Sequence, residues 1–106
     1  MLGMGNWESN AVMWTGGVAL TDSNDEVLAV AQALLNKMSA QIKDFAESVG
    51  GSVDLIYLNY ADASQDPLGS YGRDQVQFLR DVATKYDPSG AFQTRIPGGF
   101  KIGGVP

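Results

Sequence analysis

The chain contains neither cysteine nor histidine. Without cysteine there is no disulfide, and cysteine usage carries no information on redox compartment. Without either residue, zinc centres of the Cys/His type and Ser-His-Asp or Cys-His nucleophile systems cannot be built from these side chains. Basic residues are scarce as well: seven Lys and Arg stand against twelve Asp and Glu, giving a net charge of −5. Nucleic-acid binding requires clustered cations that displace counterions, so no nucleic-acid partner is expected. The acidic balance also disfavours anionic lipid, and no apolar run reaches the roughly 20 residues that cross a bilayer, so no membrane partner is expected either. The opening Met1-Leu2-Gly3-Met4-Gly5-Asn6-Trp7-Glu8 lacks the basic and apolar regions of a secretory leader. What is left for chemistry is carboxylate, Tyr, Lys, Arg, or a bound organic cofactor.

What is present is the composition of a soluble globular chain, 44% hydrophobic and 18% charged over 106 residues, a length suited to one small domain. Residues 1–10 read as loop. Residues 11–20 alternate, with Val12, Trp14, Val18 and Leu20 on one side, which predicts a strand. The Gly16-Gly17 pair within it predicts a bulge or a close backbone approach. Ser23 and Glu26 have the spacing of a capping box, and Asp25 and Glu26 suit the positive end of a helix dipole. From there Val27, Ala31, Leu34, Met38, Ile42, Phe45 and Val49 trace one apolar stripe, the pattern of a long amphipathic helix. Gly50-Gly51 ends it, the first glycine free to turn left-handed.

Residues 53–61 are β-branched and aromatic and predict a second strand, with Val53, Leu55, Tyr57 and Asn59 on one face and Ile56, Leu58 and Tyr60 on the other. A second helix is expected over residues 73–85, turning Val76, Leu79, Val82, Ala83 and Tyr86 inward, with Asp74 and Lys85 complementing its dipole. Asp87-Pro88-Ser89-Gly90 stops it, and the Gly- and Pro-rich tail from Phe92 reads as an extended strap. The expected architecture is α+β, in the order β-α-β-α-tail. Two strands are too few to cover two apolar helix faces. The chain therefore either oligomerises or belongs to a larger body.

Four motifs occur in order: Asp54-Leu55-Ile56-Tyr57-Leu58-Asn59-Tyr60-Ala61-Asp62, then Gln65-Asp66-Pro67-Leu68-Gly69-Ser70-Tyr71-Gly72, then Lys85-Tyr86-Asp87-Pro88-Ser89-Gly90-Ala91-Phe92-Gln93, and finally Pro97-Gly98-Gly99-Phe100-Lys101. Together they resemble the C-terminal region of fungal berberine-bridge-enzyme-like FAD-linked oxidases of the PCMH type. The resemblance implies a β-α-β-α fragment of a two-domain flavoenzyme with an incomplete sheet. Residues 1–52 would end the substrate domain, and residues 53–106 would return to the FAD-binding domain. It also implies that FAD is held mainly by that domain, outside this chain, and that a small organic substrate is oxidised beside this segment.

Carried over residue by residue, the resemblance places Tyr60 as the catalytic base and Tyr57 and Asn59 against the flavin. Oxidation by hydride transfer needs a base for the heteroatom proton, and a tyrosine with a reference pKa of about 10 needs help to serve as one at neutral pH. Each residue also has a plainer reading. A tyrosine at a strand end usually packs, with its hydroxyl at the rim. Asparagine is disfavoured in strands, so Asn59 is expected to make a specific hydrogen bond. Asp62 is a rival base, but opening a turn it is expected to make a local Asx bond. Trp7 and Trp14 suit either a substrate cleft or an aromatic core. The Gly98-Gly99 and Gly103-Gly104 pairs resemble no phosphate loop. Two other functions fit the same sequence: a free-standing α+β module that dimerises to bind a small non-flavin ligand, and a non-catalytic piece that docks on a full-length oxidase.

Overall fold

The computed structural model describes residues 10–21 and 24–106. Among these residues it contains three α-helices, α1 (Asp25–Ser48), α2 (Arg73–Tyr86) and α3 (Ala91–Thr94), together with 3-10 turns at Leu58–Tyr60, Gly69–Tyr71 and Ile102–Gly104. The chain divides into two compact units, one of Ala11–Val53 and one containing Asp54–Pro106.

The expected β-α-β-α architecture with its incomplete sheet is not found. No strand occurs among the described residues: 11–20 and 51–57 carry no ladder, and 58–60 turn instead of extending. The physical reason is that alternation specifies an extended backbone with two distinct faces, whereas a strand needs a neighbour to accept its N–H groups. Tyr57 does keep extended dihedrals, φ −74° and ψ 113°.

In the first unit, α1 begins at Asn24, whose side chain accepts from the Val27 amide at 2.9 Å. Asn24 rather than Ser23 therefore caps the observed helix, and Ser23 lies outside the described residues. At the other end Gly50 adopts φ 68°, Gly50 N donates to Glu47 O at 3.0 Å and Gly51 N to Ala46 O at 2.8 Å. This is the paired closure of a Schellman motif, as the Gly-Gly pair predicts. The stripe forms on the expected face but is scarcely covered. Ala31 is buried, while Leu34, Phe45 and Val49 remain 61%, 69% and 64% exposed. A fully buried side chain of this size contributes about 1.5–3 kcal/mol, and most of that contribution is not realised here. Gly16 is the close approach its sequence predicts: a Cβ there would lie 2.8 Å from the Trp14 ring and 3.1 Å from Met38 Cε.

The second unit is organised around α2, which packs against the 3-10 turns at Gly69–Tyr71 and Ile102–Gly104. Val76, Ile102 and Pro67 are its buried side chains. Of the residues expected inward, Val76 is buried and Leu79 and Ala83 are half-buried, but Val82 and Tyr86 are exposed. The tail is less extended than its composition suggests. Asp87 accepts from the Ala91 and Phe92 amides, both at 2.8 Å, which closes the one-turn helix α3. Further on, the Arg80 guanidinium donates to Val105 O at 2.8 Å and ties the chain end to α2.

Candidate functional site

The residues singled out by sequence meet in the 3-10 turn at Leu58–Tyr60. Tyr57 precedes it in extended conformation, and Tyr60 N donates to Tyr57 O at 3.1 Å to close it. In a 3-10 turn residues i and i+3 stand above one another. Tyr57 and Tyr60, expected on opposite faces of a strand, therefore share one side. Their ring centroids lie 5.4 Å apart at 70°, an edge-to-face pair. Asn59 Nδ2 donates to the Tyr57 hydroxyl at 3.0 Å, the specific hydrogen bond expected of an asparagine in this segment.

Tyr57 and Tyr60 are 45% and 70% exposed. The result is an open aromatic-amide surface with two phenol groups. The Tyr60 hydroxyl enters none of the hydrogen bonds found among the described residues, whereas the Tyr57 hydroxyl has its donor in Asn59. A depression of about 410 Å³ in the same unit is bordered by Asp66, Leu68, Phe100, Lys101 and Val105, and does not include the tyrosines.

The rival candidates sort as follows. Asp62 makes the local bond expected of it, its Oδ1 accepting from Ser64 N at 2.9 Å and Ser64 Oγ at 2.6 Å. Trp14 folds over Gly16 in the other unit, and Trp7 lies outside the described residues. Among the described residues no group of three or more His, Cys, Asp or Glu is placed to hold a metal ion, and no helix is long and apolar enough to cross a membrane. Sequence reasoning missed Ser70, which touches this segment from fourteen residues away: its Oγ accepts from Ile56 N at 3.0 Å. Serine in a turn-rich loop gives no sign of a distant partner.

Similarity to known proteins extends over most of the chain. The chain is 47% identical over 75 residues to the FAD-dependent monooxygenase drtC of Aspergillus calidoustus, covering 71% of this chain and 14% of that protein. It is 38% identical over 102 residues to the FAD-dependent monooxygenase sdcF of Emericella nidulans, covering 96% of this chain and 21% of that protein. The chain is similar to part of fungal FAD-dependent monooxygenases. It spans about a seventh to a fifth of the length of these relatives. A further relative, the oligopeptidase PhomG' of Diaporthe leptostromiformis, is 36% identical over 105 residues, 95% of this chain and 8% of that protein. No family model matches the chain, and no solved structure matches it.

The FAD-linked part of the expectation is thereby supported at the level of these monooxygenases. An exposed pair of phenol rings with an amide suits a flat aromatic ligand. The chain has no G-x-G-x-x-G loop between a strand and a helix to receive a pyrophosphate.

Proposed function

We propose that this chain is the C-terminal portion of a fungal FAD-dependent oxidoreductase of the berberine-bridge-like type, and that its Tyr57–Tyr60 turn forms one wall of the flavin and substrate site. The partner of this wall is the FAD-binding domain of the parent protein, which holds most of the cofactor, and the substrate is a small organic molecule. The single observation that supports this reading is the turn itself. It presents Tyr57, Asn59 and Tyr60 together and exposed, within a segment similar to proteins named for FAD-dependent chemistry. The exposed stripe of α1 agrees with it, since a helix face this apolar calls for cover that these residues do not supply.

When bound, the flavin supplies a two-electron acceptor for a hydride leaving the substrate carbon. Tyr60, held as its phenolate by a cation of the parent protein outside this chain, would take the proton from the substrate heteroatom at its Oη, so that the substrate loses one hydride and one proton. Tyr57 offers its ring and Asn59 its amide to the flat face or edge of the cofactor. A second reading exchanges the two tyrosines. The Asn59 amide donates to the Tyr57 hydroxyl, and a donor already aimed at a phenol oxygen stabilises charge that develops there. Tyr57 is then the base and Tyr60 the packing ring.

Flavin reduction in the full-length flavoprotein separates these possibilities. Tyr60→Phe should slow reduction strongly at unchanged flavin content, and a wild-type rate removes Tyr60 from the mechanism. A strong loss in Tyr57→Phe with a near-normal Tyr60→Phe selects the second reading.

A further inference from the structure

The Tyr57–Tyr60 turn is exposed, and it is fixed from outside. The Ser70 hydroxyl accepts from Ile56 N at 3.0 Å and donates to Pro67 O at 2.7 Å. Both bonds are partly buried, so one oxygen uses its donor and an acceptor position at once. The Ile56 amide is one residue before Tyr57, and the next fixed bond along the chain is the Tyr60 N to Tyr57 O closure at 3.1 Å. Ser70 therefore restrains the peptide plane from which the turn departs.

Ser70 is itself firmly placed. Its amide donates to Asp66 O at 3.2 Å, and Gly69 N donates to Asp66 Oδ1 at 2.9 Å. A Cβ on Gly69 would overlap the Asp66 carboxylate and push it aside. Pro67, whose carbonyl receives the Ser70 proton, is the most buried large side chain of the chain's described residues. The 3-10 turn carrying Ser70 packs on α2. Rigidity thus passes from a helix to a loop, from the loop to one hydroxyl, and from that hydroxyl to the tyrosine turn.

We propose that Ser70 is the positioning residue of the Tyr57–Asn59–Tyr60 surface, holding Ile56 so that the two rings and the amide are presented at one angle. The proposal rests on the reading of that turn as a wall of the flavin site. Groups that support a reacting constellation from behind matter because displacements of about 1 Å in it cost up to about a hundredfold in rate. Ser70 acts only through the backbone, touching neither substrate nor cofactor.

The test uses the full-length flavoprotein of which the chain is proposed to be part, with Ser70→Ala and Ser70→Thr. Ser70→Ala is expected to keep its flavin, to slow flavin reduction at saturating substrate about tenfold, to displace the pH profile of that rate, and to speed exchange of the Ile56 amide. Ser70→Thr retains the hydroxyl and should restore all of these. A wild-type rate and pH profile in Ser70→Ala, with Ile56 exchange accelerated, overturns the proposal. If Ser70→Ala does not fold, Ser70→Thr and Ser70→Cys are compared at equal flavin content. A slower Cys variant supports the proposal, because a thiol is a weak partner, and rates equal to wild type in both overturn it. Tyr57→Phe and Tyr60→Phe in the same protein keep the two failures apart. Unchanged rates in both tyrosine variants sink the catalytic reading of the turn, whereas slow tyrosine variants beside a normal Ser70→Ala sink only the role of Ser70.

Discussion

Asn59 Nδ2 donates to the Tyr57 hydroxyl at 3.0 Å, while the Tyr57 ring meets Tyr60 edge-on at 5.4 Å. One side chain thereby orients a phenol oxygen and, through the ring, the neighbouring tyrosine. Asn59→Leu removes the donor without adding charge. In the full-length flavoprotein it should slow flavin reduction by on the order of tenfold if Tyr57 is the base. It should have much less effect if Tyr60 is. Stopped-flow reduction of Asn59→Leu beside Tyr57→Phe decides between them, and a normal rate in both removes the Tyr57–Asn59 pair from catalysis.

Asp87 links the end of α2 to α3. Its carboxylate pKa is held below the ordinary value of 3.8, first by the hydrogen bond from the Phe92 amide, partly opposed by desolvation, and then by Ala91 N and Ser89 Oγ. A carboxyl group depressed in the folded state stabilises above its unfolded pKa and loses that contribution as pH falls through the folded value. Protection of the Phe92 amide should therefore be constant from neutral pH down to about pH 4 and collapse below it. Asp87→Asn should lower protection at neutral pH and flatten this dependence. An acid-insensitive Phe92 amide in the unsubstituted chain contradicts the cap.

Asn24 is the N-cap of α1, accepting from Val27 N at 2.9 Å. Asn24→Ala leaves that amide without its side-chain partner and should cost about 1 kcal/mol of helix stability. Urea denaturation followed by far-ultraviolet circular dichroism measures it. No change would mean that the helix starts elsewhere in solution.

The α1 stripe predicts solution behaviour. With Leu34 and Phe45 exposed, the chain expressed alone should bind an apolar dye and self-associate. Leu34→Gln with Phe45→Gln should reduce both at similar helical content, because exposed positions shift stability by only about 0.5 kcal/mol. A dye-silent monomer without the substitutions would show that the stripe finds its cover within the chain.

The two long helices were legible in the sequence because their determinants are local, whereas the one-turn helix at Ala91–Thr94 was not. Periodic apolar positions define α1, Gly50 supplies its left-handed end, and Asp87-Pro88 marks the end of α2, observed at Tyr86. The candidate residues Tyr57, Asn59 and Tyr60 were legible through resemblance, and so was the need of Asn59 for a partner. Their arrangement was not. Alternation over residues 53–61 predicts a strand that separates Tyr57 from Tyr60, but a strand exists only with a neighbour to pair with. Without that ladder the segment closes locally at Tyr60 N to Tyr57 O, and the rings come together. The bond from Ile56 N to Ser70 is equally invisible, since nothing in a serine names an amide fourteen residues away. The sequence by itself determined the two long helices, where they end, and which chemistries lack their residues, but not the short helical turns at 58–60, 91–94 and 102–104. Only the tertiary structure decided that residues 57–60 turn instead of extending and that Ser70 holds Ile56, because whether a segment pairs as a strand depends on neighbours that no local pattern encodes.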